Sequence, residues 1–246
     1  MLFRSPRLAP VRIVSIDSSL GSRLLVCEAT GPAAHAPVRL EVLADAEQAD
    51  SRRHAESLGP MLAGALADPA VAARPLDAVV VATGPAPFTG LRAGLVTARA
   101  IGRVRAVPVH GVPSPDALAR AALDELAAGG AGADAVVLVA TDARRKEVYA
   151  ARYRARGADD VERLGDLVVG PPERAADLGG ADAVAGSGAV LHPRIARGRP
   201  VLAAGSGDAR AQVRIALARL AAGEALGTEP LYLRHADVQM PAGGRR

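Results

Sequence analysis

The sequence predicts an α/β chain of two duplicated lobes, each a mixed β-sheet flanked by helices. Three observations carry this expectation. Two apolar runs, Ala78 to Ala82 and Ala135 to Ala140, lack polar alternation, as strands covered on both faces do. A unit of strand, aspartate, turn and returning strand occurs twice, around Asp17 and around Asp142, which suggests an internal duplication facing a cleft. Between strands lie stretches whose apolar residues recur at helical spacing, as at Leu58, Met61, Leu62, Ala65 and Leu66.

Residues 1–10 carry Arg4 and Arg7 but no apolar core of a secretory signal, and read as a loose tail before a first lobe over 11–104. Val11 to Ile16 and Ser22 to Ala29 form a hairpin around Asp17-Ser18-Ser19, and 37–43 supplies a third strand. An aspartate with small hydroxyl residues at a strand end is a turn former. It is also where backbone amides and hydroxyls can meet phosphate while the acid approaches a metal. A helix is expected from Asp50 or Ser51 to residue 67, kinked at Gly59-Pro60.

The strand 77–83 must end at Gly84-Pro85-Ala86-Pro87, because neither proline can donate to a ladder. Thr89 as a cap, or Pro87 in the first turn, then opens a helix ending at Gly102, with Leu91, Leu95, Ala98 and Gly102 on one face. A second face, Gly90, Gly94, Thr97 and Ile101, also lacks charge, and the only charged residues are Arg92 and Arg99. A helix apolar on most of its circumference needs cover on both sides. Its own sheet takes one side; a second helix of this chain or a partner protein takes the other.

A second lobe is expected over 105–234. It comprises a short strand 105–109, a helix 114–128 capped by Ser114, a Gly/Ala break, strands 135–140, 147–154 and 161–169, and a short helix 172–178. Strand 182–185 enters Gly186-Ser187-Gly188, which either brings backbone close to an adenine or simply turns. Asp208 caps a last helix through Ala222. Arg144, Arg145 and Lys146 read as a solvated loop, and residues 235–246 as a disordered tail.

Composition excludes several classes. Half the residues are hydrophobic, yet no apolar run approaches the ~20 residues that span a bilayer, so a cytoplasmic chain with no membrane partner is expected. Cys27 is the lone cysteine, in the apolar run Leu24-Leu25-Val26-Cys27, and reads as a buried structural thiol. A formal charge of +4 invites nucleic acid. Against this, the arginine excess is scattered, and two phenylalanines, three tyrosines and no tryptophan offer no expected platform for stacking bases. The histidines show no ligand spacing, so neither a metal nor another cofactor is expected.

Gly84-Pro-Ala-Pro-Phe-Thr-Gly-Leu-Arg-Ala-Gly94 resembles the GPGSFTGLRIG signature of the TsaB family, with Ala86 and Pro87 where that family has Gly and Ser. Asp142-Ala-Arg-Arg-Lys-Glu-Val-Tyr149 resembles its DAR-x-x-EVY segment, and Pro230-Leu-Tyr-Leu-Arg234 its PxYLR ending. The resemblance implies an actin-like fold, shared with sugar kinases and Hsp70, and a non-catalytic scaffold or activator subunit. Its partner would be a catalytic, TsaD-like threonylcarbamoyl transferase that modifies the adenosine beside the anticodon of tRNAs reading codons that begin with A. A small TsaE-like ATPase would dock on the pair, and tRNA would be reached only through the complex; a homodimer is the alternative pairing.

In the catalytic relatives the helix that His54 opens carries two metal-binding histidines four apart. Here the position four on is Leu58, which argues against that metal. The resemblance further implies a four-helix interface in which helices 51–67 and 88–102 meet the same two helices of the paralogue through Leu58, Met61, Leu62, Gly94, Thr97 and Ile101. The competing reading is a nucleotide-dependent kinase or ATPase with Asp17, Ser18 and Asp142 in the cleft around Mg²⁺. A peptidase is a third, weaker reading, since Ser18 and Ser19 have no histidine nearby in sequence.

Overall fold

Strand β1 (Val11–Asp17) pairs antiparallel with β2 (Ser22–Thr30), which pairs antiparallel with β3 (Arg39–Gln48). On its other side β1 runs parallel to β4 (Ala78–Ala82), and β4 parallel to β5 (Val109–Val112), giving the order β3-β2-β1-β4-β5. The second sheet repeats the wiring. Antiparallel β6 (Val136–Asp142), β7 (Val148–Arg156) and β8 (Asp160–Gly170) are joined by β9 (Ala183–Ala185), parallel to β6, in the order β8-β7-β6-β9. Asp17 and Asp142 therefore close the first strands of two equivalent sheets.

This computed structural model describes residues 9–32, 36–48, 54–205 and 207–233. The expected tails at 1–8 and 235–246, the helix start at 50–53, His35 and Arg234 lie outside those residues, as does the side chain of His54.

The helices form three layers around the two sheets. On the outer face of the first sheet, α1 (His54–Ala67) and α3 (Phe88–Arg105) bury Leu58, Leu91, Leu95 and Ala98 against Val14, Ile16, Val79 and Val81, with α2 (Pro69–Ala72) at their edge. Between the sheets lie α4 (Ser114–Ala128) and α7 (Ala209–Ala221). Their Leu118, Ala122, Val213 and Ile215 share one core with Ile13, Cys27 and Val80 of the first sheet and Val137, Val139 and Tyr153 of the second. Helices α5 (Pro172–Ala176) and α6 (Ser187–Leu191) and a 3₁₀ turn (Pro193–Ile195) cover the far face, over Leu138, Ala140 and Val184. Burying each of the larger side chains contributes about 1.5–3 kcal/mol, so a core common to both sheets couples the lobes strongly.

Several boundaries differ from expectation for identifiable reasons. Helix α3 continues past Gly102 to Arg105 and ends at Ala106, which takes a left-handed conformation (φ 54°). Gly102 is not a stop; a Cβ there would overlap Val109 Cγ2, so the glycine permits close approach of helix to strand. The strand expected at 105–109 is accordingly displaced to Val109–Val112, and because it pairs with β4, the first sheet extends beyond residue 104. Ser114 begins α4 without capping it; its Oγ instead accepts a hydrogen bond from the Gly84 amide at 3.2 Å. Helix α1 runs unbroken through Gly59-Pro60. Cys27 is buried, and burial pushes its thiol up to about 12, as befits a structural cysteine.

Candidate functional site

The end of β1 places Asp17 beneath the loop that leads into α7. Its Oδ1 accepts from the Ser19 amide (2.8 Å) and the Ser19 hydroxyl (2.6 Å), and its Oδ2 from Gln212 Nε2 on α7 (3.1 Å). Gln212 is held in turn by the Ser15 hydroxyl, which donates to its Oε1 at 3.0 Å. A Cβ on Gly207 would overlap Asp17 Oδ2, so the loop before α7 seals the carboxylate. Burial raises the Asp17 pKa above its ordinary value of 3.8, an effect that the Ser19 hydrogen bonds oppose. Ser18 points elsewhere: its Oγ donates to the Gly90 carbonyl of α3 at 2.8 Å.

Asp142 occupies the equivalent position in the second sheet. Its amide donates to Ser187 Oγ (3.0 Å), its Oδ1 accepts from the Arg144 amide (2.8 Å), and its Oδ2 pairs with the Arg144 guanidinium (3.3 Å). The glycines of Gly186-Ser187-Gly188 serve close packing on β6, since a Cβ on either would crowd the Ala140 carbonyl. Arg144, Arg145 and Lys146 all have positive φ (62°, 55° and 61°), a left-handed turn that costs roughly 1–2 kcal/mol per residue. The resemblance to DAR-x-x-EVY marked this turn, but no glycine signalled its conformation.

Ser19, Pro87 and Asp142 do converge on one crevice between the lobes, but its volume is only about 10 Å³, room for a single water. A second hollow of about 180 Å³, lined by Asp17, Ser19, Arg23 and Glu47, falls short of the ~300 Å³ at which small-molecule pockets begin. Among the described residues no group of three or more His, Cys, Asp or Glu side chains is placed to hold a metal ion. No helix among them is long and apolar enough to cross a membrane.

Helices α1 and α3 pack side by side on the first sheet. Of the residues expected to meet a partner, Leu58, Gly94 and Ile101 are buried in the chain's own core, while Met61, Leu62 and Thr97 are half-buried. Gly94 faces Ser18, and a Cβ there would overlap the Ser18 hydroxyl. This glycine lets α3 approach the end of β1, so it does not lie at the surface where a partner was expected. The outward side of the same helix pair nonetheless carries small and apolar residues beside the exposed Arg92, Arg99 and Arg103 of α3. It exposes Gly59, Pro60, Ala63 and Gly64 on α1, and Val96 (66%), Ala100 and Val104 (81%) on α3.

Beyond α7 the chain returns along α3. The Leu226 carbonyl accepts from the Gly111 amide (3.3 Å), and the Leu231 amide donates to the Thr83 carbonyl (2.9 Å). Arg99 donates to the Thr228 carbonyl (2.8 Å) and to Glu229 Oε1 (3.1 Å). Arg92 Nε donates to the Tyr232 hydroxyl at 3.1 Å. The two signature-like segments, Gly84–Gly94 and Pro230–Leu233, are thus in contact.

The family model described as TsaD, tRNA N6-adenosine threonylcarbamoyltransferase, matches residues 42–222. The chain belongs to the TsaD family. Uncharacterised proteins of Mycobacterium bovis and Mycobacterium tuberculosis are 42% identical to it over 153 residues, 62% of this chain and 64% of theirs. The match thus spans less than two thirds of those relatives. The tRNA threonylcarbamoyladenosine biosynthesis protein TsaB of Bacillus subtilis is 31% identical over 103 residues, 42% of each chain.

Two solved structures from Pseudomonas aeruginosa, YeaZ and a protein described as similar to peptidase YEAZ, superpose with TM-scores of 0.67 and 0.70. Each is 26% identical and covers 91% of this chain and 100% of its own. This member of the TsaD family is TsaB-like and has an actin-like fold.

Proposed function

We propose that this chain acts in the formation of threonylcarbamoyladenosine in tRNA as a non-catalytic subunit, pairing through α1 and α3 with a catalytic, TsaD-like paralogue. The observation that carries the reading is the outward face of the two helices. Val96 and Val104 of α3 stand in solvent, and the neighbouring α1 exposes Gly59, Ala63 and Gly64, small residues that let a facing helix pair come close. A stable pairing would bury ~1,200–2,000 Å² in total, a demand that two helices of this length suit. The interface residues are then the exposed ones, with Met61, Leu62 and Thr97 at their margin and Leu58, Gly94 and Ile101 supporting them from beneath.

The crevice supports the same reading. Each Asp17 oxygen already accepts a hydrogen bond from within the chain, and the space beside Asp142 holds about 10 Å³. Both features weigh against the kinase or ATPase alternative. In the proposed complex a small TsaE-like ATPase docks on the pair in the cytoplasm and tRNA is engaged through the assembly. A homodimer through the same face is the competing use of these helices.

The test is reconstitution. With the purified paralogue, the small ATPase, ATP, a source of the threonylcarbamoyl donor and unmodified tRNA, product should form only when this chain is added. Equal product without it, or ATP turnover by the isolated chain that Asp17→Asn abolishes, would overturn the proposal.

A further inference from the structure

Composition argues against a platform for bases, yet the fold brings two aromatic side chains together on the surface. The chain has two phenylalanines and three tyrosines, and two of these five residues, Phe88 and Tyr232, meet although they lie far apart in sequence. Their ring centroids are 5.0 Å apart with the planes inclined at 48°. Arg92, one turn after Phe88, sets its guanidinium 5.5 Å from the Phe88 centroid and 5.8 Å from that of Tyr232. Phe88 remains 39% exposed and Tyr232 43%. Tyr149 and Tyr153, by contrast, are buried.

The surroundings are basic. Helix α3 has no acidic residue, and Arg92, Arg99 and Arg103 follow one another along one exposed stripe, in which Arg99 is paired with Glu229. Pro87, the neighbour of Phe88, and Asp142 line the same narrow crevice. The left-handed turn that follows Asp142 leads away from that crevice, with Arg144, Arg145 and Lys146 exposed and Arg144 paired with Asp142. Aromatic faces next to guanidinium groups, on a rim of positive charge, suit unpaired nucleotides: rings and guanidinium planes stack bases, and the basic groups meet phosphates.

We infer that the cluster of Phe88, Arg92 and Tyr232 is a contact site for the unpaired nucleotides of an RNA loop. The choice of RNA rests on the tRNA reading proposed above; the site itself lies beside the outward face of α1 and α3. Protein contacts also favour exposed aromatic and arginine side chains. The apolar surface at Val96 and Val104 already suits a protein, whereas the basic rim around Phe88 suits an anion.

Fluorescence anisotropy on the full chain, with a labelled RNA stem-loop and with the same stem as a plain duplex, tests this. The stem-loop should bind more tightly than the duplex. Phe88→Ala and Tyr232→Ala should each weaken stem-loop binding by roughly 5- to 100-fold, the range for loss of one stacked base, with an unchanged salt slope because no charge is removed. Tyr232→Phe keeps the ring and should retain binding, which separates stacking from a defect of folding.

The site is overturned if wild type shows no preference for the stem-loop, or if both alanine variants bind it as wild type does. It is equally overturned if those variants lose the paralogue while RNA binding stays intact, since the cluster would then be a protein contact. Because the isolated chain is used, failure of the pairing proposal in reconstitution leaves this result readable by itself.

Discussion

Gly94→Arg is expected to prevent folding of the chain, beyond any effect on a partner. A Cβ at this position would overlap Ser18 Oγ and lie 3.2 Å from Ser18 Cβ, and Ser18 is fixed by its hydrogen bond to the Gly90 carbonyl. Overpacking such a site costs about 1–3 kcal/mol, and an unpaired buried guanidinium adds several more. Their sum is comparable to the ~5–15 kcal/mol by which a domain is stable at all. Gly94→Ala isolates the steric part and should lower stability by about 1–3 kcal/mol in urea unfolding. A Gly94→Arg chain that melts like wild type would mean that α3 does not lie on β1 as described.

Asp17→Ala should cost roughly 3 kcal/mol, because the Ser19 amide, the Ser19 hydroxyl and Gln212 Nε2 all lose their acceptor inside the core. Asp17→Asn keeps an acceptor oxygen and should cost less. Wild type and Asp17→Asn also differ in their response to pH. Burial raises the folded-state pKa of Asp17 above 3.8, so the stability of its protonated form is fully present below that value. It is lost as pH rises through the raised folded value and is constant above. Asparagine does not titrate, so urea unfolding across the acid range should give a flatter profile for Asp17→Asn than for wild type. Identical profiles would place the titration elsewhere.

Much of the fold was legible because its strands carry strong local signals. Ala78 to Ala82 is apolar throughout and is buried throughout. Asp17 and Asp142 marked the repeat that the two sheet orders display. What escaped was long-range. The placement of α7 between the sheets, with Gln212 reaching Asp17 from 195 positions away, has no local signature.

Helix α3 has two neighbouring apolar faces, and periodicity alone does not say which one the sheet takes. The sheet and α1 together cover both, burying Gly90, Leu91, Gly94, Leu95, Ala98 and Ile101 and leaving Val96 and Val104 outside. The meeting of Phe88, Arg92 and Tyr232 was hidden for the same reason as Gln212. Each signature-like segment was visible, but their contact depends on the chain's return after α7.

The pairing claim is tested most directly by sedimentation velocity on this chain mixed with the purified catalytic paralogue, comparing wild type with the double variant Val96→Glu/Val104→Glu. Both valines are exposed, so the substitutions should change the melting behaviour little. The account predicts a joint species for wild type and two separate species for the double variant. A double variant that sediments with the paralogue as wild type does would contradict it.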